Sequence, residues 1–178
     1  MQMKPTPIVG LFEIALEQFP DNRGSFTELW QTEKLQAQGL PDLRFRQASV
    51  SKSVLGATRG IHAEPWGKYI TVPYGRVFSA IVDLRKESPT FGLHATFELD
   101  ETKALFVPAG LGNSFQSLSE ISVYVYMVTD VWRGKTNPYP AVRLDDSDLA
   151  IAWPLPREQW IISEKDSRNT SFREAYPL

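Results

Sequence analysis

Along most of the chain apolar residues fall on alternate positions, the period of a strand with one buried face, and not at the spacing of a helix stripe. Phe12, Ile14 and Leu16 alternate within 10–16, which places a first strand there. The stretch 32–38 is instead rich in helix formers and stops at Gly39-Leu40-Pro41, so a short helix with a glycine stop is predicted. From Arg44 onward short β-prone runs succeed one another at 45–51, 69–72, 76–84, 93–99, 105–107 and 123–129. Turn signals separate them: Val54-Leu55-Gly56, Pro73-Tyr74-Gly75, Ser88-Pro89 and Pro108-Ala109-Gly110. Many short strands without intervening long helices predict an all-β antiparallel sandwich or jelly roll and disfavour βαβ units.

Composition narrows this further. The 178 residues are 42% hydrophobic and 22% charged, ordinary for a globular chain, and no linker or repeat divides them, so one domain over 1–178 is expected. Nineteen basic against 21 acidic residues leave a formal charge of −2, which argues against nucleic acid as a partner. No apolar run approaches the roughly 18 residues of a membrane span, and the first ten residues show no apolar leader, so a cytoplasmic protein is expected. The absence of cysteine removes disulfides, thiol nucleophiles and zinc-thiolate sites. With His62 and His94 the only imidazoles, a three-histidine metal site cannot form within one chain, and a site of both histidines plus carboxylates would need positions far apart in the sequence to converge, so no catalytic metal is expected.

After Asp130 the chain becomes loop-rich, with Asn137-Pro138-Tyr139-Pro140 and Trp153-Pro154-Leu155-Pro156 ahead of a polar tail containing Ser163-Glu164-Lys165-Asp166. A tail this long is unusual unless it packs onto the barrel or serves function.

The densest group of reactive side chains is Arg59-Gly60-Ile61-His62-Ala63-Glu64-Pro65-Trp66-Gly67-Lys68. If 58–63 is extended, His62 shares a face with Gly60 and Glu64, and Arg59 points the other way. A histidine beside a glutamate serves equally as general base, metal ligand or hydrogen-bonded core residue. Lys68 reads either as an oxyanion donor or, as is commoner for a lysine taken by its type alone, as a solvated cation. Asp21-Asn22-Arg23-Gly24 reads as a tight turn into a strand at 25–30, with Phe26 and Glu28 on one face. Tyr124 and Tyr126 lie opposite Val123 and Val125, as packing or as the lining of a cavity. Phosphate-loop, nucleophile-elbow and His-Glu-x-x-His patterns are all missing.

Taken in order, these segments resemble the dTDP-4-dehydrorhamnose 3,5-epimerase family. The resemblance runs through Asp21-Asn22-Arg23-Gly24-Ser25-Phe26-Thr27-Glu28, Gln47 with Ser51-Lys52-Ser53, Arg59-Gly60-Ile61-His62, Val82-Asp83-Leu84-Arg85 and on to Phe91-Gly92, Pro108-Ala109-Gly110, Tyr126 and Ser163-Glu164-Lys165-Asp166. It implies a cupin-type jelly roll with a few short helices, acting on a dTDP-linked 4-keto-6-deoxy sugar as a homodimer without metal or redox cofactor. It further implies His62 as base, Asp166 as its paired carboxylate, Lys68 and Arg59 as cations near sugar and phosphates, and Tyr126 as acid. Arg23, Phe26, Glu28 and Gln47 fall on nucleotide-holding positions, some supplied by a neighbouring subunit. Asn113, within Gly112-Asn113-Ser114-Phe115, stands where most relatives carry a histidine, and an amide carries no proton at neutral pH. Trp132 stands where many have a base-stacking tyrosine. The motif variants resemble a subgroup that works beside a dTDP-4-dehydrorhamnose reductase. The reaction implied is inversion at C3 and C5; a single epimerase and a non-catalytic nucleotide-sugar-binding cupin are the alternatives.

Overall fold

The structure is a computed structural model and describes residues 1–134 and 139–177. Asn137 and Pro138 of the Asn-Pro-Tyr-Pro segment lie outside the described residues. Two antiparallel sheets face each other. The larger has the order β1 (Gln2–Pro5), β2 (Phe12–Ala15), β10 (Lys103–Val107), β7 (Lys68–Tyr74), β12 (Ile121–Val128), β5 (Gln47–Val54). The smaller has the order β6 (Thr58–Ala63), β11 (Leu111–Ser117), β8 (Val77–Asp83), β9 (His94–Leu99). A separate hairpin joins β3 (Gln18–Asp21) to β4 (Gly24–Thr27). This is the jelly roll expected from the succession of short strands, and of the cupin type that the family resemblance implies. Among the described residues the α-helices, α1 (Thr32–Gln36) and α2 (Phe172–Ala175), are a turn or so each.

Three apolar layers hold the sheets. Ile70, Val72, Val77, Ile81, Leu99, Leu105 and Phe115 fill the space between them. Outside the large sheet, Leu35 of α1 and Leu40 cover Ile14, Tyr69 and Phe106. Outside the small sheet, the C-terminal segment lays Val142, Leu144, Leu149 and Tyr176 over Ile61, Val82 and Leu84. Strands β7 and β8 are therefore covered on both faces, which is why they read as continuous apolar runs and not as alternation. The long tail is a structural layer: its backbone bonds to β6 through Thr58 N–H to Ile161 O, 3.0 Å, and Ile61 N–H to Val142 O, 3.1 Å.

Several boundaries differ from the sequence pattern. The first strand is Gln2–Pro5, and the Phe12-Ile14 alternation belongs to the second. Only Met3 of β1 turns inward, and proline and polar residues suit a sheet edge, so the strand carries no periodic signal. The helix ends at Gln36; Gly39, at φ +96°, lets Leu40 N–H reach Leu35 O. The strand expected over 25–30 stops at Thr27, and Glu28 turns to pair with Lys34 of α1 at 2.7 Å.

Candidate active site

Between the sheets lies a cavity of about 470 Å³, within the usual range of small-ligand sites. Strand β5 shapes one wall. Its apolar Ala48, Val50 and Val54 point outward, whereas Gln47, Ser49 and Ser51 line the cavity, an inverted alternation that keeps the interior polar. Tyr124 and Tyr126 project from neighbouring β12 into the same space, which decides for cavity lining between the two readings the sequence left open. The Tyr124 ring stacks on Phe115 with centroids 4.1 Å apart, and its hydroxyl donates to Asn113 Oδ1 at 3.0 Å.

Strand β6 forms the opposite wall. His62 and Glu64 face the cavity together, as alternation predicted, but Arg59 does so as well, contrary to it. The reason is a bulge: Asn113 pairs with His62 and Phe115 with Arg59, so Gly60 and Ile61 stand opposite Ser114 alone and the face reverses. Only glycine fits at position 60, because φ is +124° and a Cβ would lie 2.3 Å from that of Ser114.

The tail supplies the group that completes this wall. A 3₁₀ turn at Asp166–Arg168 sets Asp166 Oδ1 at 2.7 Å from His62 Nε2. Burial opposes ionisation of Asp166, but the hydrogen bond and charge of His62, with further hydrogen bonds from Gly60 and Ser163, reverse this and hold the carboxyl below its usual range. A carboxylate that accepts from Nε2–H leaves the lone pair on Nδ1 of His62. The dyad thus fixes which ring nitrogen can act as base.

Lys68 corrects the reading of it as a solvated cation. It begins β7, is 5% exposed, and its ammonium meets the Glu64 carboxylate beside the cavity. Burial pushes the ammonium below its ordinary value, and Glu64 opposes that shift. Tyr126 is shifted upward, by burial first and by the Glu64 charge second, so it stays a protonated donor at neutral pH.

Of the other expected residues, Gln47, Arg59, Asn113 and Trp132 line the cavity, with Arg59 and Trp132 exposed at its mouth. Trp132 N–H donates to Gln47 Oε1 at 2.9 Å. Arg23, Phe26 and Glu28 are absent from the cavity of this chain. Arg23 is exposed and paired with Asp21, and Phe26 is 66% exposed on the outlying hairpin. Sequence reasoning did not single out Tyr139 or Lys165. Tyr139 lies 5.7 Å from the His62 ring, centroid to centroid, and Lys165 Nζ sits 4.9 Å from the Tyr139 ring centroid. Neither carried a local signal, since both are delivered by the irregular tail. Among the described residues no cluster of three or more histidine or acidic side chains could hold a metal, and no helix is long and apolar enough to cross a membrane.

A jelly roll whose cavity sets a histidine–carboxylate dyad against tyrosine and lysine is a cupin-type protein equipped for acid–base chemistry. Residues 5–174 match the family model described as dTDP-4-dehydrorhamnose 3,5-epimerase, and the chain belongs to that family. It is 34% identical to the dTDP-4-dehydrorhamnose 3,5-epimerase of Methanothermobacter thermautotrophicus, over 95% of this chain and 93% of the relative. It is also 34% identical to the dTDP-4-dehydrorhamnose 3-epimerase of Streptomyces niveus, over 99% and 90%. The solved structure of RmlC from Streptococcus suis in complex with dTDP-D-xylose superposes with a TM-score of 0.91 at 38% identity, covering 99% of this chain and 93% of that one.

Proposed function

We propose that this chain converts dTDP-4-dehydro-6-deoxy-D-glucose to dTDP-4-dehydro-β-L-rhamnose by inverting C3 and C5, with residues 1–178 acting as one domain. The observation that carries the reading is the His62–Asp166 dyad lining one cavity with Lys68 and Tyr126. Protons at C3 and C5 are both α to the C4 ketone, so loss of either leaves an enolate with its charge on the C4 oxygen. His62 Nδ1 takes the proton, and Asp166 stabilises the imidazolium that forms. The Lys68 ammonium lies where the C4 oxygen gathers charge, a role worth about 3 kcal/mol when the donor is preorganised. Tyr126 returns a proton to the opposite face and is recharged from solvent, to which His62 releases its own. At the mouth, Arg59 meets the diphosphate, Trp132 stacks on the base, and Gln47 and Asn113 hold the ligand by hydrogen bonds. No step calls for a cofactor.

The exposed hairpin supports a homodimer. Phe19 and Phe26 leave 50% and 66% of their surface to solvent, and β5 ends the large sheet as an unpaired edge. In that dimer the hairpin carries Arg23, Phe26 and Glu28 to the neighbouring subunit's cavity. The product would pass to a reductase of the C4 ketone, and the cytoplasm is the compartment this reading assigns. A single inversion is the second reading, favoured by the equal identity to a 3-epimerase.

The test is incubation with dTDP-4-dehydro-6-deoxy-D-glucose in deuterated water, following the C3 and C5 proton signals for wild type and His62→Ala. Loss of both signals in wild type alone supports double inversion, and loss of one supports the 3-epimerase or 5-epimerase reading. No exchange with binding intact would make the chain a nucleotide-sugar-binding module.

A further inference from the structure

The cavity holds two enclosed carboxylates, and the mechanism above uses only Asp166. The other, Glu64, is side-chain exposed by 13%, and the Lys68 ammonium is set against its Oε2. The pair straddles the turn at 65–67, whose ends are pinned. The Glu64 carbonyl accepts from Gly110 N–H at 3.0 Å, and Gly67 N–H donates to Thr129 Oγ1 at 3.0 Å. Beyond that turn Lys68 is already in the ladder, opposite both Val107 and Val128. Neither charge is therefore free to swing into solvent.

The other titratable groups around this cavity define what Glu64 must do. His62 and Arg59 come from β6, Tyr124 and Tyr126 from β12, and Tyr139, Lys165 and Asp166 from the C-terminal segment. Asp166 is committed to His62, and the tyrosines are neutral donors, so among the described residues lining the cavity Glu64 is the one carboxylate left to balance Lys68. A buried ammonium without a counter-ion sheds its proton several pH units early. That would be fatal to the chemistry, because the C4 oxygen gathers negative charge at the moment a neutral His62 takes the proton. Lys68 must still be charged then.

We infer that Glu64 is a positioning residue that keeps Lys68 cationic while a neutral His62 acts as base, and so sets the alkaline limit of activity. The inference deepens the epimerase reading and rests on it for the role of Lys68. The direction of the Tyr126 and Tyr139 shifts agrees: each is raised by burial first and by the Glu64 charge next, Tyr139 to about 12. Removing that charge therefore lowers the tyrosine and lysine values together.

The experiment compares wild type, Glu64→Gln and Glu64→Asp, each confirmed folded by circular dichroism, in kcat against pH with the 4-keto sugar nucleotide. In Glu64→Gln the alkaline limb moves down by about one pH unit or more while the acid limb stays, and Glu64→Asp keeps the alkaline limb within about half a unit. In parallel, ¹⁵N-lysine NMR follows protonation of the Lys68 Nζ without any need for turnover, with Lys68→Arg assigning the signal. An unmoved alkaline limb, a uniform loss at every pH, or a Lys68 Nζ that titrates alike in wild type and Glu64→Gln overturns the inference. If wild type shows no exchange at all, the epimerase reading is what fails, and the NMR titration still decides whether Glu64 holds the lysine charged.

Discussion

Replacing Asp166 with asparagine removes one charge from the site and keeps its shape. The Oδ1 to Nε2 distance is 2.7 Å and the aspartate side chain is 5% exposed, so solvent does little to replace the lost interaction. A hydrogen bond between charged partners contributes about 1.5–3 kcal/mol, and each 1.4 kcal/mol is tenfold in rate, which gives roughly a 10- to 150-fold loss. A second effect adds to this. The amide can donate to Nε2, which favours the tautomer protonated on Nδ1 and removes the lone pair the base needs. In a Ser-His-Asp triad the equivalent change costs about 10⁴. Asp166→Asn is therefore expected to slow C3 and C5 proton exchange by between about 10² and 10⁴, measured by NMR in deuterated water at saturating substrate. Nucleotide affinity should be unchanged, because Arg59 and Trp132, the residues proposed to meet the diphosphate and the base, are untouched. A variant exchanging within about threefold of wild type would show that His62 does not draw its basicity from this dyad, and the mechanism would have to be abandoned.

Three further outcomes test other parts of the reasoning. Tyr126→Phe deletes the hydroxyl proposed to return the proton, so product formation should fall about 10²-fold or more while exchange at the first carbon continues; an unchanged product rate by chromatography would remove Tyr126 from the reaction. Gly60→Ala forces a Cβ to 2.3 Å from that of Ser114 at φ +124°, and should lower stability by about 2–4 kcal/mol, read as a drop in the denaturant midpoint. Asp83 is fully buried and accepts from Arg85 at 2.7 Å, Ser88 at 2.6 Å and Thr90 at 2.6 Å. Asp83→Asn should cost about 3 kcal/mol, the low end for a broken buried pair because Arg85 keeps access to solvent. Burial would raise the Asp83 value, but those hydrogen bonds outweigh it and hold the carboxyl far below its ordinary range. Its contribution is therefore complete above about pH 4 and fades as pH falls toward the depressed value, so the wild-type advantage over Asp83→Asn should shrink in acid unfolding measurements.

How much of this was legible depended on whether the physics was local. Alternation in β5, β9 and β12, the glycine stop after α1 and the His62–Glu64 face follow from side-chain direction within one segment, and sequence alone determined them. Composition likewise settled the absence of thiols and of a three-histidine site. The family resemblance named His62, Lys68, Tyr126 and Asp166, but spacing had no means to join a β6 histidine to a tail aspartate more than a hundred residues away. Only tertiary structure decided that Arg59 turns to the His62 face, because the bulge arises from pairing with β11. It alone decided that Lys68 is buried, since the same lysine in an uncovered strand would be solvated, and that Glu64 is its partner. It also left Arg23, Phe26 and Glu28 outside the cavity of their own chain, a result of where a hairpin packs and not of what it contains. Segment conformation is written in neighbouring residues; convergence of distant charges is written in how sheets close on one another.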